Sequence, residues 1–134
     1  MTQGDTMTIT VTHLTDIPAY AGEHAIPGIR FRPARQALGV SAWGMSILEL
    51  DPGCAGYPQH DHVGDGQEEV YVVLDGAAVL VTDGVEREVT RGDLIRVPPA
   101  TVRKFVTRAQ GVTLLALGGT PGQAYPADRR GVTT

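Results

Sequence analysis

From Ser41 onward, turn signals recur so regularly that only short strands fit between them. Asp51-Pro52-Gly53, Asp75-Gly76, Asp83-Gly84, Arg91-Gly92 and Pro98-Pro99 divide runs rich in β-branched residues. Turns every 8–12 residues or so are the pattern of an all-β sandwich or barrel. The predicted strands are Ser41–Leu50, Glu68–Leu74, Ala77–Thr82, Val85–Thr90, Asp93–Val97, Thr101–Thr107 and Val112–Leu117, with Thr8–Val11 as a further one near the start. Asp83-Gly84 has the form of a tight two-residue hairpin turn. No stretch sustains a 3.6-residue period with caps, and no internal repeat is present.

At 134 residues the chain has the size of one domain with its own core. Residues 1–7 read as a frayed start, and Pro18, Pro27, Pro33 and several glycines make residues 18–39 an irregular arm. The expected division is an arm over 1–40 packing on a barrel over 41–117, with a Gly/Pro-rich tail over 118–134. Apolar runs fall far short of the roughly 20 residues that span a bilayer. No basic stretch followed by an apolar segment opens the chain, so the expected compartment is the cytoplasm. Net charge is −4, and the only loose basic clusters are Arg30, Arg32, Arg35 and Arg129, Arg130. Nucleic-acid binding rests on phosphate neutralisation, so this composition argues against it. Cys54 is the single cysteine, which excludes an internal disulfide and reads as a buried spectator.

His60-Asp61-His62 lies between a Gly/Pro loop and the strand that starts near Glu68. Histidines at i and i+2 in an extended segment project to the same side, so both can approach one ion. Glu69 is the third candidate, completing a two-histidine, one-carboxylate set suited to iron(II) and acceptable to zinc, manganese or nickel. Taken alone, the same residues also read as surface polar groups at the edge of a loop.

The surrounding spacing resembles the cupin superfamily, whose first motif runs G-x5-H-x-H-x3–4-E-x6-G. His60 and His62 take the histidine places, and Glu69 takes the carboxylate place because six residues separate it from Gly76. Two departures follow. Cys54 stands where the first glycine belongs, and six residues rather than three or four separate His62 from Glu69. A register with Gln67 as ligand shortens that loop but loses the spacing to Gly76.

The second motif, G-x5-P-x-G-x2-H-x3-N, begins with Gly92 and Pro98. It then breaks: Ala100 replaces glycine, Arg103 replaces the last metal histidine and Thr107 replaces asparagine. The other histidines, His13 and His24, precede the motif and read as exposed, so none downstream can fill the gap. The resemblance covers roughly residues 41–117 and implies a jelly-roll barrel, the double-stranded β-helix.

If the match holds, Arg103 points inward, where its charge weakens cation binding and must be paired with Glu69 or Glu68, or meet an anionic ligand. Otherwise it faces water. Glu69 inward carries Tyr71 and Val73 inward and leaves Val70, Val72 and Leu74 on an apolar outer face. That face calls for cover by the arm or a second subunit, and the resemblance implies a homodimer. Trp43, Met45 and Tyr71 either line an apolar pocket or serve as plain core.

The favoured expectation is a small-molecule-binding cupin with an altered metal site. Arg103, Tyr71, Trp43 and Glu68 would contact a small anionic ligand. The alternative is a metal-dependent cupin enzyme of dioxygenase or isomerase type, holding one divalent ion (Fe, Mn, Ni or Zn) on His60, His62 and Glu69.

Overall fold

One long strand organises the molecule. A computed structural model describes residues 8–126, and its strands in chain order are β1 (Ile29–Arg32), β2 (Gly44–Leu50), β3 (Glu68–Thr82), β4 (Val85–Thr90), β5 (Leu94–Val97), β6 (Arg103–Val106) and β7 (Val112–Gly119), with a short helix α1 (Ala34–Leu38) after β1. All pairings are antiparallel. The first half of β3 lies between β7 and β5, and the ladder continues from β7 to β2 and β1. Its second half lies between β4 and β6. The two halves therefore supply the two facing layers of a jelly roll, and an all-β barrel is what the turn spacing predicted.

The expected turn at Asp75-Gly76 is instead a β-bulge within β3. Gly76 sits at φ +79°, and a Cβ there would overlap the Gly111 carbonyl oxygen. Glycine alone tolerates both conditions, so the strand bends without leaving its ladder. The bulge also changes parity: Glu69, Tyr71 and Val73 point inward before it, Ala78 and Leu80 after it. These inward side chains meet Leu48, Leu50, Phe105, Leu114 and Ala116 in the main core. Phe105 and Leu114 are fully buried, each contributing about 1.5–3 kcal/mol from lost water contact.

Strand β2 reverses its expected faces. Ser46, Leu48 and Leu50 point inward, whereas Met45 and Ile47 pack outward with Leu14, Ile17, Ala34, Leu74 and Leu115. Both parities of this strand are apolar, so alternation could not choose, and the polar Ser46 is buried against expectation. The N-terminal segment is what covers the outer face. Arg32 Nη1 donates to the Ile17 carbonyl at 2.7 Å, and Tyr20 N–H donates to the Phe31 carbonyl at 2.7 Å.

Three further expectations change. Thr8–Val11 forms no strand: Ile9 and Val11 are exposed and no neighbour supplies a ladder, and β propensity without a partner does not hold a strand. The arm is not irregular throughout, because Ile29–Arg32 pairs with Leu50–Ile47, which starts the sheet before residue 41. Pro33 caps α1 at its N-terminus, a place where its missing N–H costs nothing. The tail's Gly118 and Gly119 belong to β7, and Tyr125 is buried with the Arg35 guanidinium 4.8 Å above its ring. Residues 1–7 and 127–134, including Arg129 and Arg130, lie outside the described residues. No helix among the described residues is long and apolar enough to cross a membrane.

Candidate metal centre and its cavity

The segment carrying the two histidines is held extended along the run that leads into β6. His60 N–H donates to the Arg103 carbonyl at 3.1 Å, Arg103 N–H returns a bond to the His60 carbonyl at 2.9 Å, and His62 N–H donates to the Pro99 carbonyl at 2.8 Å. Both imidazoles thus turn to the same side, with ring centroids 5.1 Å apart. Glu69 reaches them from the inward face of β3. One nitrogen from each histidine and one Glu69 oxygen lie within 4.8 Å of one another.

The remaining ring nitrogens are already engaged. His60 Nδ1 lies 2.9 Å from the Pro58 carbonyl, and His62 Nδ1 lies 3.0 Å from Asp65 Oδ1. A carbonyl and a carboxylate can only accept, so neutral rings carry their protons on Nδ1 and present bare Nε2 lone pairs. His60 Nε2, His62 Nε2 and Glu69 Oε2 are all buried without a hydrogen-bond partner among the described residues. His62 Nε2 and Glu69 Oε2 stand 3.3 Å apart, an ion pair only when the ring is protonated, and they are not aligned as a hydrogen bond. Three converging, unsatisfied acceptors fit a divalent cation, and ring N–H groups anchored on a carboxylate or carbonyl are the usual support of metal-ligating histidines.

Arg103 faces inward and is fully buried. Its Nη2 donates to Glu69 Oε1 at 2.7 Å and its Nη1 to the Thr101 carbonyl at 2.9 Å, so the pairing is single rather than forked. Tyr71 also donates to Glu69 Oε1, at 2.6 Å, and its own oxygen lies 3.1 Å from the Tyr57 hydroxyl. One Glu69 oxygen is therefore saturated and the other is open.

The charges follow from this crowding. Burial pushes the Glu69 carboxyl up, but His62, Tyr71 and Arg103 together bring it below the usual carboxylate range. Glu69 raises the proton affinity of His62 by more than burial lowers it. Burial lowers that of His60, with the Arg103 charge adding to the effect. Asp65 is held below its ordinary value despite its own burial, by the Gln67 backbone and side-chain N–H groups and by His62. Burial pushes the Tyr57 and Tyr71 hydroxyls well above the ordinary phenol value.

A cavity of about 930 Å³ opens beside the three acceptors. Its walls include Ile26, Ile29, Phe31, Leu48, Tyr57 and Tyr71. His24 lies at this wall, while His13 is exposed and bonded to Thr15.

Three expected ligand contacts are placed elsewhere. Trp43 precedes β2 and is 47% exposed, outside the cavity, because the inward parity of that strand falls on its even-numbered residues. Glu68 points outward, as every neighbour of an inward residue on a strand must, and pairs with Arg96 Nη2 at 2.6 Å. Arg103 sits behind Glu69 and does not line the cavity. Gln67 is buried; its side-chain N–H donates to Asp65 Oδ2 at 3.0 Å, and its Oε1 has no hydrogen-bond partner among the described residues. Asp65 and Tyr57 were missed in the sequence. Asp65 follows His62 by three residues in a glycine-bracketed loop, a spacing that suits a carboxylate folding back on the ring. Tyr57 carried no signal, since its place depends on how the loop before His60 crosses the barrel.

The comparisons with known proteins agree with this architecture. The cupin-domain family model matches residues 46–117. A sugar phosphate isomerase from a cupin superfamily, from Silicibacter pomeroyi, is 25% identical with a TM-score of 0.70, over 90% of this chain and 83% of its own. The polyketide cyclase RemF from Streptomyces resistomycificus is 25% identical with a TM-score of 0.70, over 89% of this chain and 83% of its own. A predicted oxalate decarboxylase from Thermotoga maritima, 18% identical with a TM-score of 0.65 over 81% and 97%, shares the fold. No curated protein matches the sequence. With its histidine pair, its carboxylate strand and more than half its length matched, the chain belongs to the cupin domain family.

Proposed function

We propose that this cupin holds one divalent metal ion on His60 Nε2, His62 Nε2 and Glu69 Oε2 and works on a small molecule taken into the adjoining cavity. The observation that carries the reading is the convergence of those three buried, unpartnered acceptors. Bound there, an ion such as iron, manganese, nickel or zinc supplies Lewis acidity toward an oxygen of the small molecule. The chain does the rest. The Pro58 carbonyl and Asp65 hold the ring N–H groups so that the lone pairs face inward. Arg103 and Tyr71 fix the Glu69 carboxylate through its other oxygen. Apolar side chains such as Ile26, Ile29, Phe31 and Leu48 line the cavity beside the site. Enzymes of small molecules among the similar structures, the isomerase and the cyclase, support an enzymatic role.

A second reading, a binding protein without metal, is favoured by one feature. Arg103 stands where a fourth ligand would be, and its charge already balances Glu69. In both readings Arg103 serves Glu69 rather than an anion in the cavity, since it is fully buried behind the cavity wall with Nη1 and Nη2 engaged. A homodimer, as the family resemblance implied, belongs to this reading and is to be measured by sedimentation.

Elemental analysis of protein purified without chelator separates the readings. Near-stoichiometric metal that is lost in His60→Ala supports the metal centre. Protein that stays empty after incubation with iron(II), manganese, nickel and zinc removes it and leaves the binding protein.

A further inference from the structure

The site's hydrogen-bond chain has a fixed direction. Glu69 Oε1 accepts from Arg103 Nη2 at 2.7 Å, and a carboxylate paired with a guanidinium has no proton to give. The single Tyr71 proton goes to Glu69 Oε1. The Tyr71 oxygen therefore has no proton left for Tyr57, so across their 3.1 Å contact Tyr57 is the donor. With its proton spent, the Tyr57 oxygen has only a lone pair to offer anything in the cavity whose wall it forms. The floor beside it is made of acceptors too: His60 Nε2, His62 Nε2 and Glu69 Oε2.

The walls carry the matching electrostatic message. No arginine or lysine lines the cavity among the described residues, while Glu23 and Asp61 do. Most of the remaining wall is apolar or aromatic, with Ile26, Ile29, Phe31 and Leu48. A phosphate or free carboxylate entering the metal-free cavity gives up water and finds no arginine or lysine to replace it. An uncharged ring loses nothing of that kind.

We propose that the ligand is a largely apolar molecule bearing a hydroxyl, and that Tyr57 selects it by accepting that hydroxyl's proton in a hydrogen bond. The proposal rests on the cavity being the small-molecule site, as inferred above, but not on the metal. Tyr57 is a specificity residue, set in its accepting role by Tyr71 and Glu69. An ether in place of the hydroxyl presents lone pairs to a lone pair and leaves both unsatisfied, which a site built on hydrogen bonds rejects.

The test uses three probes with one ring system: 2-naphthol, 2-methoxynaphthalene and 2-naphthyl phosphate. Binding to the chelator-treated full chain is measured by calorimetry, so that no ion contributes. The expected order is naphthol tightest, the ether about five- to tenfold weaker, and the phosphate weakest. Tyr57→Phe is expected to bring naphthol down to the level of the ether. Tyr71→Phe frees the Tyr57 proton for the cavity, so it is expected to tighten the ether and shrink the same ratio from the other side. That second response is one that lost packing does not produce.

Tightest binding of the phosphate, an unchanged ratio in both variants, or no binding of any probe up to its solubility overturns the proposal. Metal content is read separately. Protein that takes up no ion yet discriminates the hydroxyl through Tyr57 loses the metal centre and keeps this inference.

Discussion

Arg103 Nη2 donates to Glu69 Oε1 at 2.7 Å, with the two side chains 0% and 1% exposed. A buried pair of this kind is held in place by mutual dependence: removal of one partner strands the other as an uncompensated charge. It also divides the work of the carboxylate. Oε1 serves Arg103 and Tyr71, and Oε2 is left for the cavity.

Arg103→Met should therefore destabilise the metal-free protein by roughly 3–5 kcal/mol, read from urea unfolding. Added zinc should restore more stability in this variant than in the parent, since it then meets a carboxylate whose charge nothing else offsets. Equal zinc shifts in both proteins would show that Arg103 does not oppose the ion.

Arg103→His replaces a permanent positive charge with a neutral ligand at the same inward position. Divalent-metal affinity should rise by at least tenfold in titration calorimetry at pH 7.5, where the imidazole is mostly neutral. An unchanged affinity would mean that the strand holds position 103 too far from the other three.

Asp65→Asn tests the support of His62. The aspartate receives the His62 Nδ1 proton and two N–H bonds from Gln67. An amide supports the ring less firmly, so metal affinity should fall by about 10–100-fold with the far-ultraviolet spectrum unchanged. Affinity within twofold of the parent would remove Asp65 from the site.

Gly76→Ala addresses the bend of β3. It forces a side chain into positive φ and against the Gly111 carbonyl oxygen, which should cost about 2–4 kcal/mol of stability. Urea denaturation measures this, and a loss below about 0.5 kcal/mol would mean that the bulge relaxes freely.

Glu49 sets a pH dependence on the opposite face from the cavity. Its Oε1 accepts from Arg30 Nε and Arg32 Nε, both at 2.9 Å. Burial pushes this carboxyl up, but the two arginines outweigh it and hold the folded value below the ordinary 4.5. A lowered folded value stabilises the fold above the unfolded pKa, and that stability is lost as pH falls through the folded one. Because Arg30 is partly exposed, solvent screening keeps the contribution under about 1 kcal/mol. Unfolding midpoints between pH 6 and pH 3 should fall more steeply in the parent than in Glu49→Gln, and parallel slopes would exclude this pair as the cause.

Much of the barrel was legible because turns are local. Asp83-Gly84 needs only its own backbone to reverse the chain, and the structure has β4 running back along β3 from that point. The histidine pair was legible for the same reason: a two-residue period in an extended segment places both rings on one side. The meaning of Asp75-Gly76 was not local. The same dipeptide closes a hairpin in one setting and bulges a strand in another, and here the Gly111 carbonyl and the β7 ladder decide.

Faces were harder to read than strands. In β2 both parities are apolar, so its inward set depended on which layer the N-terminal segment would cover. Trp43 was misplaced on that account, whereas Glu68, next to the inward Glu69 on β3, faces out to Arg96. For Arg103, alternation offered two faces, and only the packing of β6 against β3 buried the guanidinium beside Glu69.

By itself, then, the sequence determined an all-β architecture with two histidines on one side of an extended segment, because strand period and turn chemistry act over a few residues; Glu69 was singled out through the resemblance to the cupin motif. The tertiary structure decided that Arg103 closes one oxygen of Glu69, that Asp65 and Pro58 aim the imidazoles, and that Tyr57 lines the cavity with its hydroxyl 3.1 Å from that of Tyr71. Each of those depends on groups far apart in the chain, or across a loop, brought within about 3 Å, the distance at which hydrogen-bond direction is set.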